Sequence, residues 1–152
     1  MVTILISPAR ADDVPDLIEI QTECGLSQWT SDGYGSEMER LDSVVLVARD
    51  AHGQPIGFIA GRVVDQAHPP EAEIYNVGIV PLYQNRGFGT QLLSEFIEIC
   101  RPQGVTAIWL EVRASNINAI KFYRARKFVG QDRRRSFYSN PTEDAEVMSL
   151  QL

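Results

Sequence analysis

The string Gln84-Asn85-Arg86-Gly87-Phe88-Gly89-Thr90 joins a β-branched run to an amphipathic one. The first N–H groups of a helix lack intrahelical partners, and the helix dipole adds partial positive charge there. Glycine at 87 and 89 keeps side chains out of that space and permits positive φ, so a phosphate can reach the amides. Arg86 adds formal charge. Asn85, Arg86, Gly87, Phe88, Gly89 and Thr90 are therefore expected to hold a pyrophosphate. A Walker A loop would need Gly-Lys-Ser/Thr after its turn, and a dinucleotide fingerprint would need a third glycine where Leu92 stands. Alone, a Gly-x-Gly between strand and helix is also compatible with a plain structural turn.

The second candidate is Trp109-Leu110-Glu111-Val112-Arg113-Ala114-Ser115-Asn116, followed by Asn118 to Tyr123. A carboxylate near the end of an apolar strand is costly to bury without a partner. Glu111 is thus either a surface residue on the polar face of the strand or a working base. Gly78, inside Glu73 to Val80, fits a bulge, a close approach of a ligand to the backbone, or a packing glycine. His52 in a turn and His68 before Pro69-Pro70 read as solvated loop residues, and no Ser-His-Asp arrangement can be built. Cys24 and Cys100 lie far apart with no Cys or His at ligand spacing, so two reduced thiols and no metal are expected.

Alternating strands and helices must position these groups. Strands are expected over Thr3 to Ser7, Val44 to Arg49, Ile56 to Val64, Glu73 to Val80, Ala107 to Val112, Phe128 to Phe137 and Ala145 to Leu150. Helices are expected from Asp12 or Asp13 to Cys24, where Gly25 stops the chain, from Gly87 to Cys100, and from Asn116 to Arg126. Leu26 to Gly35 is turn-rich, with a short helical candidate from Ser36 to Leu41. The pattern is an α/β (α+β) sandwich.

The length of 152 residues suits one domain, 1–152, and 44% hydrophobic with 22% charged residues is the balance of a globular chain. The net charge of −6 argues against nucleic acid as a partner; an acidic surface suits a cationic substrate and equally serves solubility alone. No apolar run approaches the roughly 20 residues of a membrane helix. Met1 to Ile6 reads as a first strand and not as a signal peptide, so no membrane partner and a cytoplasmic location are expected.

The whole string from Gln84 to Thr90 resembles motif A of the GNAT N-acetyltransferases, Gln/Arg-x-x-Gly-x-Gly/Ala, which grips the pyrophosphate of coenzyme A. The Glu111–Tyr123 segment is similar to that of bacterial ribosomal-protein alanine N-acetyltransferases. The likeness continues through Arg133-Arg134-Arg135, Phe137-Tyr138 and Glu143-Asp144-Ala145. It implies a GNAT fold, a mixed six- to seven-stranded sheet flanked by about four helices, with acetyl-CoA as co-substrate. It further implies a bulged strand that opens a cleft, with Val77, Gly78 and Ile79 along the pantetheine arm and the Ile79 N–H on the thioester carbonyl. By the same likeness Glu111 is the general base, Tyr123 the general acid, and Asn116 a coenzyme contact. Trp29 and Tyr138 would touch the acceptor. Two departures stand out: Gln28 replaces a proline, and Arg126-Lys127-Phe128 replaces the usual Leu-Gly-Phe after the tyrosine helix.

The acceptor implied is the N-terminal segment of a protein, such as a ribosomal one. A polyamine or aminoglycoside amine is the alternative, and a non-catalytic acyl-CoA sensor a further one. A sensor has no use for both Glu111 and Tyr123.

Overall fold

The computed structural model describes residues 3–66 and 68–152, so Met1 and Val2 of the expected first strand lie outside the described residues. The strands are β1 (Leu5–Pro8), β2 (Ser43–Arg49), β3 (Pro55–Val64), β4 (Glu71–Ile79), β5 (Ala107–Arg113), β6 (Val129–Tyr138) and β7 (Glu143–Gln151). The helices are α1 (Val14–Glu23), α2 (Ser31–Met38), α3 (Phe88–Cys100) and α4 (Ile117–Ala125). One seven-stranded sheet runs in the order β1-β2-β3-β4-β5-β7-β6, antiparallel throughout except for β4 beside β5.

Both faces of the central strands are covered, so their side chains divide by alternation. Val44, Leu46 and Ala48 of β2 join the core beneath α3, with Leu92, Phe96, Ile108 and Leu110. Val45 and Val47 turn the other way, to Leu17 and Ile20 of α1 and Tyr34 of α2. Burying the charged Asp13 and Arg49 is offset by a two-pronged ion pair, with N–O distances of 2.7 and 2.6 Å. A Gln21 amide fixes the chain after α1: Tyr34 Oη donates to its Oε1 (2.6 Å), and its Nε2 donates to the Trp29 carbonyl (2.7 Å).

The short helix begins earlier than the sequence suggests, at Ser31 instead of Ser36. Gly33 and Gly35 lower helix propensity there, yet Thr30 Oγ1 accepts from the Gly33 N–H (3.0 Å) as an N-cap. Complete burial of Tyr34 then outweighs propensity.

Two interruptions of the sheet make the site. The β3/β4 register passes from Ala60↔Asn76 to Gly61↔Ile74, leaving Tyr75 as an extra, bulged residue of β4. The parallel β4/β5 ladder ends at Ile74↔Leu110, so beyond the bulge the two strands separate. The bulge is thus at Tyr75 and not at Gly78. A Cβ on Gly78 would lie 2.9 Å from Leu26 Cδ1 and 3.1 Å from Ile20 Cγ2. The close approach that requires glycine is that of α1 and its following loop, not of a ligand.

Candidate active site

The separation of β4 from β5 opens a cleft with two chambers. The larger, about 440 Å³, is walled by the loop Glu23 to Ser27, the splayed strand ends and Tyr138. The smaller, about 290 Å³, lies between the Tyr83 to Thr90 segment and α4. Val77, Ile79, Gln84, Asn118, Ala119 and Tyr123 line both.

The backbone of β4 offers its polar groups to this cleft. Val80 N–H donates to the Ile56 carbonyl at 2.9 Å, and the register pairs Ile79 with Gly57. Antiparallel alternation then turns the main-chain groups of residues 78 and 80 toward β3 and those of 77 and 79 toward the open edge. The Ile79 carbonyl is taken by the Gln84 amide (2.9 Å) and the Cys24 thiol (3.2 Å). Its N–H is left facing the cleft.

The loop into α3 is a cradle of amides. Asn85 and Gly87 take left-handed φ values of 61° and 85°. The first intrahelical bond runs from Gln91 N–H to the Gly87 carbonyl (3.1 Å), so the N–H groups of Phe88, Gly89 and Thr90 have no intrahelical acceptor. A Cβ on Gly87 would meet nothing within 4 Å, so glycine serves the turn. At Gly89 a Cβ would stand 3.2 Å from the Phe122 ring, so this glycine lets α3 and α4 approach. The Phe88 side chain is buried in the core and contributes only its amide. A diphosphate fits this donor set.

Not every expected group is present in the cleft. Asn85, Gly87, Phe88, Gly89 and Thr90 line the smaller chamber, whereas Arg86 does not. It is exposed, with its guanidinium 5.5 Å from the centre of the Tyr83 ring. The cation lining that chamber is Arg126, held against Thr90 and Phe122. Asn116 lines the larger chamber, but its Oδ1 caps α4 by accepting from the Ala119 N–H (3.2 Å), leaving its amide nitrogen for a ligand. Trp29 does not line the cavity. It is half-buried against Tyr34 and Tyr75, with ring centroids 5.3 and 5.6 Å away. Tyr75, the bulged residue, is the aromatic facing the chamber on that side.

Glu111, Tyr123 and Tyr138 all line the larger chamber. Glu111 is one-third exposed, and its Oε1 accepts from Arg134 Nη1 at 3.1 Å. Tyr138 packs under the Arg113 guanidinium, 4.4 Å from ring centre to Cζ, and burial followed by the Glu111 charge pushes its hydroxyl up to about 12. Tyr123 is buried, and that burial, with a smaller effect from Tyr138, raises its pKa well above the ordinary tyrosine value. A Schellman turn anchors it: Phe128 N–H returns to the Tyr123 carbonyl (3.1 Å) and Lys127 N–H to that of Arg124 (3.0 Å). The accompanying apolar contact is Tyr123 on Phe128, 5.3 Å between centroids.

A diphosphate cradle at a helix start, beside a sheet edge with free amides, is the geometry expected of an acyl-CoA site. The family model for acetyltransferases (GNAT) matches residues 14–128. The chain belongs to the GNAT acetyltransferase family. It is an acetyl-CoA-dependent N-acetyltransferase. Among its relatives, the [ribosomal protein bS18]-alanine N-acetyltransferase of Haemophilus influenzae is 35% identical over 153 residues, 97% of this chain and 99% of that one. The enzyme of that name from Salmonella typhimurium is 31% identical over 150 residues, 97% of each chain. The crystal structure of the ribosomal-protein-S18-alanine N-acetyltransferase from Escherichia coli matches with a TM-score of 0.85 and 29% identity, covering 98% of this chain and 94% of that one.

Sequence reasoning missed Arg126, Tyr75, Gln84 and Asn118 in this acetyltransferase. Asn118 and Gln84 stand within the strings that drew attention to the site. Arg126 registered only as a departure from the family pattern, and nothing local marks Tyr75 as a bulge. No helix among the described residues is long and apolar enough to cross a membrane.

Proposed function

We propose that this acetyltransferase acetylates the N-terminal α-amine of a protein, with a ribosomal protein as the first candidate acceptor. The observation that carries this reading is the shape of the cleft. The chamber holding Glu111 and Tyr138 lies on the far side of Val77, Ile79 and Tyr123 from the phosphate cradle. An amine and a thioester can therefore approach one another from opposite ends.

The residues suited to hold acetyl-CoA are the amides of Phe88, Gly89 and Thr90 with the open edge of Val77 and Ile79. The coenzyme supplies an acetyl group activated as a thioester. Glu111 takes the proton of the incoming amine, directly or through water. The Ile79 N–H stabilises negative charge on the carbonyl oxygen, a contribution of typically about 3 kcal/mol for such a donor. Tyr123, kept protonated by its burial, gives its proton to the departing sulfur. Atoms balance: the amine's proton passes to Glu111, that of Tyr123 passes to the sulfur, the acetyl group changes partner, and proton exchange through solvent restores the carboxylate and the phenol.

Acceptor chemistry favours an α-amine. With a pKa of about 7.7–8.0, roughly a tenth of it is neutral at pH 7, against well under a thousandth of a lysine near 10.4. Less work is thus asked of Glu111 by the first amine than by the second. The relatives named for alanine N-acetylation of a ribosomal protein support the same reading.

Thiol release from acetyl-CoA, with mass spectrometry of the products, tests it. The panel is N-terminal peptides beginning with Ala or Ser, lysine peptides with blocked N-termini, polyamines and aminoglycosides. The expected product is an N-terminally acetylated peptide. Acetyl groups found only on lysines, polyamines or aminoglycosides would overturn the acceptor.

A further inference from the structure

Of the two residues at which this chain departs from the family's Leu-Gly-Phe pattern, Arg126 and Lys127, the first lines the coenzyme chamber. We propose that Arg126 is a phosphate ligand for the coenzyme, presented from the C-terminal end of α4, in the place Arg86 leaves empty. The proposal rests on the reading of the Asn85–Thr90 loop as the coenzyme cradle.

Three observations carry it. First, the guanidinium is fixed. Its Nε donates to Thr90 Oγ1 at 2.8 Å and its Nη2 to the same oxygen, while Nη1 donates to the Phe122 carbonyl at 2.8 Å. Its Cζ lies 3.8 Å over the Phe122 ring. A guanidinium carries more N–H donors than these partners use, so donors remain for an anion.

Second, Arg126 makes no ion pair with a carboxylate among the described residues, although acidic residues outnumber basic ones, 20 to 14. Its partners are a neutral hydroxyl, a carbonyl and a ring. Third, Thr90 sits in the first turn of α3, where the helix dipole is positive. A cation held against that end is electrostatically unfavourable until an anion lies between them. The α4 carbonyl compensates in part, and a phosphate group would complete the balance.

The contrary account makes Arg126 a mechanical clip between α3 and α4. The two accounts differ in what they require of the ligand. Dissociation constants can be measured calorimetrically for CoA and 3′-dephospho-CoA, and by displacement for pantetheine. The proteins are the wild type, Arg126→Leu and Arg126→Lys. Leucine restores the family residue and keeps apolar contact with Phe122, and thermal melting checks that it folds.

The expected result is CoA binding weakened about tenfold or more by leucine, the scale of a lost charge-assisted hydrogen bond, and partly restored by lysine. Pantetheine, which has no phosphate, should bind the variants as it binds the wild type. A penalty that vanishes already with 3′-dephospho-CoA assigns Arg126 to the 3′-phosphate. One that persists there but vanishes with pantetheine assigns it to the diphosphate, and both results uphold the proposal. An equal penalty for all three ligands, or none for any, overturns it in favour of the clip. Wild-type protein that fails to bind CoA would instead remove the reading of the loop beneath it.

Discussion

Arg134 on β6 reaches over β7 to donate a hydrogen bond to Glu111 on β5, Nη1 to Oε1 at 3.1 Å. The edge strand of the sheet thereby holds one carboxylate oxygen of the proposed base and leaves the other for the acceptor. Both side chains are partly solvated, 54% and 34% exposed, so the pair contributes at most about 1 kcal/mol. Arg134→Gln should therefore lower kcat/KM by no more than about fivefold. Glu111→Gln should cost about 10²-fold or more at pH 7. It should recover in part at higher pH, where the amine deprotonates unaided. Steady-state rates of both variants from pH 6 to 9 check this, and similar losses in the two would deny Glu111 the role of base.

Tyr123 is raised above the ordinary tyrosine value by burial. A raised pKa keeps the hydroxyl protonated at every pH below about 10, so the donor is not lost in the working range. The wild-type rate should climb from pH 7 to 9 with the neutral fraction of the α-amine, without an alkaline decline from this group. Tyr123→Phe should lose about 10²-fold in kcat while binding acetyl-CoA nearly as before. Full turnover by the phenylalanine variant would mean that the sulfur leaves without this proton.

Lys127 occupies the left-handed C′ position of the turn that ends α4, with φ 73°. A side chain there costs about 1 kcal/mol relative to glycine. Lys127→Gly should raise the melting temperature by about 2–4 °C with kcat unchanged. A lower melting temperature would show that the lysine side chain makes up for its strained backbone.

The Asp13–Arg49 pair sets part of the acid stability. The hydrogen bonds from Arg49 outweigh burial and hold the Asp13 pKa below its usual value. A depressed carboxylate contributes stability that is complete above the unfolded value of about 3.9 and lost as pH falls through the folded one. Asp13→Asn leaves a buried guanidinium unpaired and should cost about 3–5 kcal/mol at pH 7. Between pH 5 and 2 its stability should decline less steeply than the wild type's, as denaturant titrations across that range would show.

The segment proposed to hold the coenzyme is legible because it is continuous: strand, glycine turn and helix start follow within residues 71–90. That Arg126 lines the smaller chamber and Arg86 does not has a local reason. Arg86 is adjacent in sequence, but the left-handed residues on either side of it, Asn85 and Gly87, turn it outward onto Tyr83. Arg126 arrives by packing of α4 on α3, 36 positions along the chain from Thr90, a relationship no local pattern encodes. Tyr75 was likewise hidden, since a bulge is a property of two strands in register and not of one. Glycines at 33 and 35 obscured α2, whose existence depends on burying Tyr34.

The β4/β5 ladder ends after Ile74 and Leu110, and among the described residues it alone pairs β1 to β4 with the remaining three strands of the sheet. A substrate that hydrogen-bonds along the open edge of β4 would thus add bonds where the pairing of these two strands stops. Cohesion of the two halves then becomes a function of metabolite concentration: at a hundredfold excess over its Kd, a ligand of the folded state adds about 2.7 kcal/mol. Amides near the seam should exchange with solvent faster than those of β2 and β3 when coenzyme is scarce, and slow together when it is plentiful. Acetyl-CoA would then stabilise the fold as well as supply the acetyl group.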